Sequence, residues 1–180
     1  MRILSDQTCA IVVDCQEKLI PAMNGREELV ERLKILLAGL SALKIPMVVT
    51  EQYRRGLGLT VPELDPILQG VQRFEKISFS CLEVEQLKKQ VAQLGKPNVI
   101  VCGTETHVCV LQTVLDLIAD GYKPVVAADC VGSRTALDKS TALERMREEG
   151  AIITTSESIL FELTRRAGTD EFKIISKLVK

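Results

Sequence analysis

Residues 98–116, NVIVCGTETHVCVLQTVLD, contain the pattern that decides the fold. The stretch begins as an apolar strand, breaks at Gly103, crosses four polar residues and continues from Val108 with apolar residues at helical spacing. Cys109 stands where this helix is predicted to begin. The unpaired N–H groups of a first helical turn favour a thiolate and can bind an oxyanion. The stretch therefore predicts a strand-to-helix turn with a candidate nucleophile, although most free cysteines are simply buried apolar residues.

On both sides of this stretch, short apolar runs alternate with patterns typical of amphipathic helices. The run at 8–15, TCAIVVDC, is predicted to be a strand that ends in Asp14, and further strands are predicted at 47–50, 99–102, 124–128 and 151–155. Helices are predicted at 27–43, at 83–94, from Val108, from a cap at Asp138 to Glu149, from Ser156 or Ser158 to Arg166, and from Thr169 or Asp170 to the end.

Two segments are less regular. Residues 72–80, QRFEKISFS, fit either a short strand or an extended loop. Residues 51–66 contain Gly56 and Gly58, and such a long glycine-bearing connection is more often a binding loop than a simple linker.

The alternation of strands and helices predicts a single α/β domain over residues 1–180. The expected architecture is a three-layer α/β/α sandwich around a mainly parallel, Rossmann-like sheet of five to six strands. In open sheets of this kind, ligands bind beyond the carboxyl ends of the strands, where the strand order reverses. If the strand ending at Asp14 and the strand before Cys109 are both central, their side chains face one crevice.

The composition argues against several classes of partner. Formal net charge is -1 and aromatic residues make up 3%, so neither a basic phosphate-binding face nor a base-stacking surface is indicated, and nucleic acid is not expected as a partner. The chain shows no signal-peptide pattern and no apolar run long enough to cross a bilayer, which predicts a cytoplasmic protein without membrane contact. Its 6 cysteines form no CxxC pair and are expected to be reduced thiols.

Cofactor and metal sites are not indicated either. The spacings GxxxxGK[ST] and GxGxxG are both missing, which argues against nucleotide cofactors. His107 is the only histidine, so a metal site of two or three histidines is excluded. Because His107 stands two residues before Cys109, the two side chains are expected to diverge, and His107 is assigned to the pocket lining or to a subunit contact. A phosphoryl-accepting role for Asp14 is an alternative, but such a site usually needs a second carboxylate close by, and the sequence neighbours of Asp14 supply none.

A cysteine nucleophile needs a proton acceptor, and the remaining base is a carboxylate in a dry crevice, supported by a cation. Asp14 in VVDCQ, Lys76 in FEKISFS and Cys109 in GTETHVCV resemble, in this order, the motifs of the isochorismatase-like cysteine hydrolases. This superfamily includes nicotinamidases and N-carbamoylsarcosine amidase. The resemblance extends from Cys9 to about Leu163, and the segments TEQYRRGLGLTVPEL and GTETHVCVLQT are most similar to the isochorismatase domain-containing proteins.

The resemblance implies a catalytic triad. Asp14 would take the proton of Cys109, Lys76 would hold the carboxylate and the thiolate in one charge network, and Cys109 would attack an amide-type carbonyl to give a thioester. By the same resemblance, Thr104 and Glu105 would be joined by a cis peptide bond, and the backbone N–H groups of Glu105 and Cys109 would bind the oxyanion.

The expected substrate is a small amide, ureide or related molecule. Nicotinamidases carry an aspartate and metal-binding histidines where this chain has Glu51, Gln52 and Tyr53, and isochorismatases proper commonly lack the cysteine, so both of those activities are alternatives. Residues expected to line the pocket, with ordinary packing as the competing explanation for each, are Gln16, Leu19, Tyr53, Phe79 and His107.

A homo-oligomer, dimer or tetramer, is expected as well. The apolar final helix would suit a subunit contact through Phe172, Ile174, Ile175, Leu178 and Val179. The rival hypothesis is a non-catalytic binding domain or thiol redox sensor on the same fold, in which Cys109 is reactive without turnover.

Overall fold

The apolar runs of the sequence form the strands of one sheet in the computed structural model, which describes residues 2–180. These strands are β1 (Thr8–Val13), β2 (Met47–Gln52), β3 (Gln72–Lys76), β4 (Asn98–Thr104), β5 (Lys123–Gly132) and β6 (Ile152–Thr154). Their order across the sheet is β3-β2-β1-β4-β5-β6, and every neighbouring pair is parallel. The predicted mainly parallel sheet is therefore confirmed, with six strands in the described chain.

Helices cover both faces of this sheet. They are α1 (Arg26–Ala42), α2 (Arg54–Leu57), α3 (Glu85–Leu94), α4 (Leu111–Ala119), α5 (Ala136–Glu148), α6 (Ser156–Thr164) and α7 (Asp170–Leu178). One apolar cluster joins α1, α6 and α7 to the sheet, and a second joins α3, α4 and α5 to the opposite face. This arrangement confirms the predicted three-layer α/β/α fold.

The sequence of β1 explains why it lies in the centre. All six residues of TCAIVV are buried, because alternate side chains enter the two clusters: Ala10 and Val12 face one, and Ile11 and Val13 face the other. β2 pairs on one side of β1 and β4 on the other, so the chain changes direction across the sheet at this point. The crevice of such an open sheet lies here, beyond the carboxyl ends of β1 and β4.

Gly103 allows β4 to approach β1 closely enough for this pairing. It stands opposite Val13 in the ladder and has a φ of +116°. A Cβ atom on Gly103 would collide with the carbonyl oxygen of Val13, which belongs to the backbone and cannot rotate away. Only glycine combines this φ with this close approach.

Several predicted boundaries differ from the observed ones. β2 continues through Glu51 and Gln52, because these residues pair with Glu75 and Lys76 of β3, so the predicted loop begins later and includes the short helix α2. Segment 72–80 is a strand only as far as Lys76.

β5 extends past the predicted end at Ala128 as far as Gly132. A register irregularity relative to β4 accommodates the extra residues. Asp129 lies within this strand, and its carboxylate accepts hydrogen bonds from the backbone N–H of Ser156 at 2.7 Å and from the Ser156 hydroxyl at 2.6 Å. The side chain of Asp129 therefore holds the start of α6 against the sheet.

Both α5 and α6 are capped by threonine; the cap of α5 was predicted at Asp138, whereas α6 begins at Ser156, one of its two predicted starts. Thr135 precedes α5, and its hydroxyl accepts from the backbone N–H of Asp138 at 3.1 Å, so Asp138 is a first-turn residue and not the cap. Thr155 precedes α6 in the same way, accepting from the N–H of Ser158 at 3.4 Å.

Most apolar side chains of the final helix, α7, pack against the core of the same chain. Ile175 is fully buried, and Leu178 and Val179 pack against the same cluster. Phe172 contacts Phe161 with ring centroids 6.3 Å apart, which leaves Ile174 as the exposed apolar residue of the helix. In the described part of the chain, no helix has the length and apolar character required to span a membrane.

Candidate active site

Asp14 is the first residue after β1, and its backbone no longer has the β conformation. Its φ is +46°, a region that aspartate tolerates better than most residues. Its backbone N–H donates to the carbonyl of Thr50 at 3.1 Å, and its carbonyl accepts from Thr104 Oγ1 at 2.6 Å. Bonds to both neighbouring strands thus fix the backbone from which the fully buried carboxylate projects.

Lys76 ends β3, and its side chain passes β2 to reach this carboxylate. Nζ of Lys76 lies 2.7 Å from Oδ2 of Asp14, and both side chains are 0% exposed. The ammonium also donates to Gln52 Oε1 at 2.7 Å and to the carbonyls of Ser78 at 3.1 Å and Phe79 at 3.0 Å. Burial is the largest single influence on the pKa of Lys76 and lowers it, but the contact with Asp14, together with smaller contributions from Cys81 and Cys109, raises the pKa above its ordinary value. This side chain is therefore a buried ammonium.

Cys109 lies in a π-helical turn, Thr106–Val110, between β4 and α4. The carbonyl of Glu105 accepts from the N–H of Val110 at 3.1 Å, five residues on, and this wider turn replaces the predicted first turn of an α-helix. Burial raises the pKa of Cys109 to about 12, the charge of Asp14 raises it as well, and Lys76 lowers it. At neutral pH the residue is therefore a thiol that needs a neighbouring base to lose its proton, although a helix start by itself favours a thiolate.

The two carboxylate oxygens of Asp14 have different surroundings. Oδ1 accepts a hydrogen bond from Thr50 Oγ1 at 2.8 Å. Oδ2 lies close to Lys76 Nζ, but the angles of this contact fall outside those of a hydrogen bond, so Oδ2 has no donor among residues 2–180. A carboxylate oxygen has two lone pairs. Oδ2 can therefore accept a proton without breaking a hydrogen bond.

The peptide bond between Thr104 and Glu105, at the end of β4, is cis. The backbone N–H of Glu105 donates to no acceptor within residues 2–180. Its side chain accepts from Arg134 Nε at 2.8 Å. A hydrogen-bond donor is thus available at the start of the turn that carries Cys109.

Gln16 and Leu19, two of the expected pocket residues, lie in the segment after β1. Gln16 is fully buried, and its side chain clamps the backbone of Gln52, accepting from its N–H at 2.6 Å and donating to its carbonyl at 2.9 Å. The same amide donates to the carbonyl of Gly58 at 2.7 Å. Gln16 therefore serves as a brace between loops, while Leu19 is half-buried.

Tyr53, Phe79 and His107 are the other three expected pocket residues. Tyr53 and Phe79 are 48% and 52% exposed, so their rings are open to contact. The backbone of each is tied to Lys76, since the N–H of Tyr53 donates to the Lys76 carbonyl at 2.9 Å and the Phe79 carbonyl accepts from Lys76 Nζ. His107 is half-buried, with Nδ1 at 2.9 Å from the hydroxyl of Ser133.

Three residues outside the predicted site contact the cluster of Asp14, Lys76 and Cys109. They are Thr50, Gln52 and Thr113, and Cys81 in turn contacts Thr50. Thr50 and Gln52 are the one signal in the sequence, because polar side chains two positions apart at the end of an apolar strand point to the same face.

The described chain has no group of three or more His, Cys, Asp and Glu side chains arranged to hold a metal ion. All six cysteines are buried and free of disulfides. Burial raises the pKa of Cys9 to about 12 and that of Cys81 to about 11, so these thiols are protonated at neutral pH as well.

Solved structures share this fold. The MAR1 ribonuclease from Caenorhabditis elegans superposes with a TM-score of 0.94 at 36% identity, over 99% of this chain and 92% of that chain. YcaC from Pseudomonas aeruginosa, solved with hexane-2,5-diol and covalent acrylamide, superposes with a TM-score of 0.93 over 98% of this chain and 91% of that chain. At 23% identity, this second likeness shows the fold alone.

Sequence relatives are similar along nearly the whole chain. The secreted isochorismatase effector Isc1 of Phytophthora sojae is 41% identical over 192 residues, covering 99% of this chain and 87% of that protein. Isochorismatase domain-containing protein 2A of Mus musculus is 37% identical over 179 residues, covering 99% of this chain and 85% of that protein. The model of the isochorismatase domain matches residues 8–158, and the chain therefore belongs to the isochorismatase family.

Proposed function

We propose that this chain is a cysteine hydrolase that cleaves a C–N bond in a small amide, ureide or related compound. Membership of the isochorismatase family supports a hydrolase role. The observation that carries the finer proposal is the buried Asp14–Lys76 ion pair beside a protonated Cys109 thiol, with Asp14 Oδ2 free to accept a proton.

In the first step, Sγ of Cys109 attacks the carbonyl carbon of the substrate while its proton passes to Asp14. Because the pKa of the thiol is raised to about 12, a thiolate cannot accumulate in advance, and proton transfer has to accompany attack. Lys76 stays charged throughout and offsets the negative charge that moves from Asp14 to the sulfur.

The attack leaves negative charge on the former carbonyl oxygen. The N–H of Glu105 has no acceptor in the described chain, and we assign it, together with the N–H of Cys109, to this oxyanion. When the oxyanion collapses, the C–N bond breaks, the nitrogen leaves with the proton held by Asp14, and Cys109 carries a thioester.

Water completes the cycle. Asp14, ionised again, removes a proton from a water molecule that attacks the thioester carbonyl, and the carboxylic acid product leaves as the proton returns to sulfur. The same carboxylate thus acts first as base, then as acid, and then as base again, while Lys76 limits the cost of keeping it charged in a buried site.

A thiol redox sensor is the rival function, and the environment of Cys109 argues against it. Sensor cysteines are accessible and have lowered pKa values. Cys109 is 6% exposed and its pKa is raised to about 12, so the ground state is an unreactive thiol that needs a base next to it.

The test is a panel of small amides, ureides and esters incubated with the purified chain, with intact mass spectrometry after acid quenching. We expect turnover of at least one compound and a covalent acyl adduct that peptide mapping places on Cys109. An RNA oligonucleotide belongs in the panel, because the relative from Caenorhabditis elegans is called a ribonuclease.

The Cys109→Ala variant is expected to lose both turnover and adduct. Cys9→Ala is the matched control, because Cys9 is also buried but lies in β1 near its amino end, and this variant should keep both. Absence of turnover and of any Cys109 adduct across the panel would sink the hydrolase proposal.

A further inference from the structure

The end of β2 brings two polar side chains to the same face of the sheet. Thr50 and Gln52 are two residues apart, so they project to the same side, whereas Glu51 projects to the other. Val48, two residues before Thr50, packs in the apolar cluster that also contains Cys109. Thr50 and Gln52 therefore face the side of the sheet that carries the thiol.

Thr50 determines which oxygen of Asp14 is free. Its hydroxyl has a single hydrogen, which goes to Asp14 Oδ1 at 2.8 Å. Sγ of Cys81 lies 3.6 Å from the same hydroxyl oxygen, so Cys81 has to be the donor in that contact. The raised pKa of Cys81, caused by burial and then by Asp14, keeps it a thiol that can donate. Two successive hydrogen bonds, from Cys81 to Thr50 and from Thr50 to Oδ1, thus hold Oδ1 in place, and Oδ2 is left as the proton acceptor.

Gln52 fixes the ammonium of Lys76 in a comparable way. Its Oε1 accepts from Nζ at 2.7 Å, and its Nε2 donates to the carbonyl of Ile77 at 2.7 Å, so both ends of the amide are engaged and its orientation is set. Gln16 clamps the backbone of Gln52 from the other side.

The ammonium of Lys76 has three hydrogens, and three acceptors surround it in addition to Asp14. Gln52 Oε1 and the carbonyls of Ser78 and Phe79 accept from Nζ in good geometry, while Oδ2 of Asp14 lies 2.7 Å away outside it. Oδ2 of Asp14 therefore receives the charge of Lys76 but no well-aligned hydrogen bond from it, and a lone pair of Oδ2 stays available for the proton of Cys109.

We propose that Thr50 and Gln52 are the positioning residues of this site: Thr50 orients the carboxylate of Asp14, Gln52 orients the ammonium of Lys76, and together they reserve Oδ2 for the proton of Cys109. Neither residue touches the reacting atoms. The inference deepens the proposed hydrolase function and rests on it.

Thr50→Val is the decisive variant, because valine keeps the shape of threonine and lacks the donor. We expect acylation of Cys109 by p-nitrophenyl acetate to slow by about tenfold at neutral pH. The pH at which the rate is half lost on the acid side should move upward, because the ionised carboxylate loses the hydrogen bond that favours it. Thr50→Ser, which restores the hydroxyl, should return both quantities to those of the parent chain.

Thr8→Val is the matched control. Thr8 is also fully buried on a strand of this sheet, but its hydroxyl donates to the carbonyl of Leu4 at 2.6 Å, at the opposite edge. This variant loses a buried hydroxyl without touching the site, so its acylation rate and pH profile should match those of the parent chain.

Gln52→Leu should slow acylation by roughly threefold to tenfold, since Lys76 keeps two carbonyl acceptors but loses the one that fixes its direction. Gln72→Leu, at the exposed start of β3, is its control and should change nothing. If Thr50→Val and Thr8→Val show the same rate and the same pH profile, the positioning role of Thr50 is refuted. A Gln52→Leu variant as fast as Gln72→Leu refutes the role of Gln52.

A second readout separates this inference from the proposed function. Alkylation of Cys109 by iodoacetamide, followed by peptide mass spectrometry across a pH series, reports the thiolate fraction of Cys109 beside Asp14 and Lys76 without any hydrolysis. A parent chain that is never acylated but whose Cys109 alkylation profile shifts in Thr50→Val would overturn the hydrolase and keep the positioning pair. Acylation in the parent with identical profiles in all variants would do the reverse.

Discussion

Two carboxylates lie buried at the same edge of the sheet, Asp14 after β1 and Glu51 near the end of β2, and they are satisfied to different degrees. Oε1 of Glu51 accepts from the N–H of Thr60 at 2.8 Å and from its hydroxyl at 2.6 Å, while Oε2 accepts from Arg54 Nε at 2.6 Å. Arg73 adds a contact at 3.6 Å.

Asp14 has one hydrogen-bond donor on Oδ1 and an ammonium near Oδ2 that makes no well-aligned hydrogen bond to it. Both carboxylate oxygens of Glu51 therefore accept hydrogen bonds that join β2 to the loop after it, whereas Oδ2 of Asp14 remains available to accept a proton. Burial and an ion pair are common to both residues, so neither identifies a site of chemistry. The vacant lone pair is what distinguishes the candidate base from the structural acid.

The largest effect that separates the two carboxylates should be on turnover. Asp14→Asn removes the proton acceptor and is expected to reduce hydrolysis of the best compound in the panel by about 10²- to 10⁴-fold, the usual contribution of a general base. Glu51→Gln should stay within roughly threefold of the parent chain, because Glu51 contacts neither Lys76 nor Cys109. Steady-state rates measure both, and equal losses would erase the distinction.

The next effect should be on the titration of Cys109. The negative charge of Asp14 helps to raise the pKa of this thiol to about 12, and Lys76 lowers it, so Asp14→Asn should lower the pKa. Each unit of change alters the thiolate fraction about tenfold at a pH below the pKa. Iodoacetamide labelling of Cys109 should therefore be faster in Asp14→Asn than in the parent chain at mildly alkaline pH.

Glu51→Gln provides the reference for that measurement and should label at the parental rate. Slower labelling in Asp14→Asn would contradict the assigned electrostatics of the site.

For the free energy of unfolding, in contrast to turnover, Glu51 is expected to matter more than Asp14. Burial alone would raise the pKa of Glu51, but its hydrogen bonds from Thr60 and Arg54 lower it below the ordinary 4.5. A lowered pKa stabilises the fold at pH values above 4.5, and this contribution is lost as the pH falls through the folded-state value. Glu51→Gln should therefore unfold more easily near neutral pH, by about 1 to 3 kcal/mol.

Urea denaturation at several pH values tests this. The stability difference between the parent chain and Glu51→Gln should shrink as the solution is acidified below 4.5. A difference that is constant over the whole range would mean that Glu51 is not ionised in the fold.

The smallest effect is expected at the exposed margin of the Glu51 network. Arg73 donates to Asp65 at 2.6 Å, but the Asp65 side chain is 56% exposed. Asp65→Asn should cost at most about 1 kcal/mol in the same denaturation experiment and leave turnover unchanged, because water screens such a pair. A larger loss would show that the network extends further toward the surface.

Asp14 and Cys109 could be predicted from the sequence because each follows an apolar strand, and parallel strands bring their carboxyl ends to one edge. Lys76 was predicted as a site residue only because of the family resemblance. Its surroundings, FEKISFS, have no clear period, so local sequence does not say that the side chain crosses β2 to an acid.

The alternation at the end of β2 indicates that Thr50 and Gln52 share a face, but their hydrogen-bond partners could not be predicted, because these are distant in the chain. Asp14 is 36 positions from Thr50, and Lys76 is 24 positions from Gln52. The protonation state of Cys109 could not be predicted for a related reason: the dipole of a helix start is local and visible in sequence, whereas burial and the charge of Asp14, which raise the pKa, depend on the assembled fold.

Thr113 links Cys109, the proposed nucleophile, to the segment that holds Lys76. Its hydroxyl accepts from the backbone N–H of Cys81 at 3.0 Å and donates to the carbonyl of Cys109 at 2.7 Å. The segment between Lys76 and Cys81 contains the carbonyls that bind the ammonium, so a continuous series of contacts runs from Asp14 through Lys76, this segment and Thr113 to Cys109. A compound that displaces this segment is therefore expected to move Lys76 and Cys109 together, and amide hydrogen exchange should report the two residues as one cooperative unit.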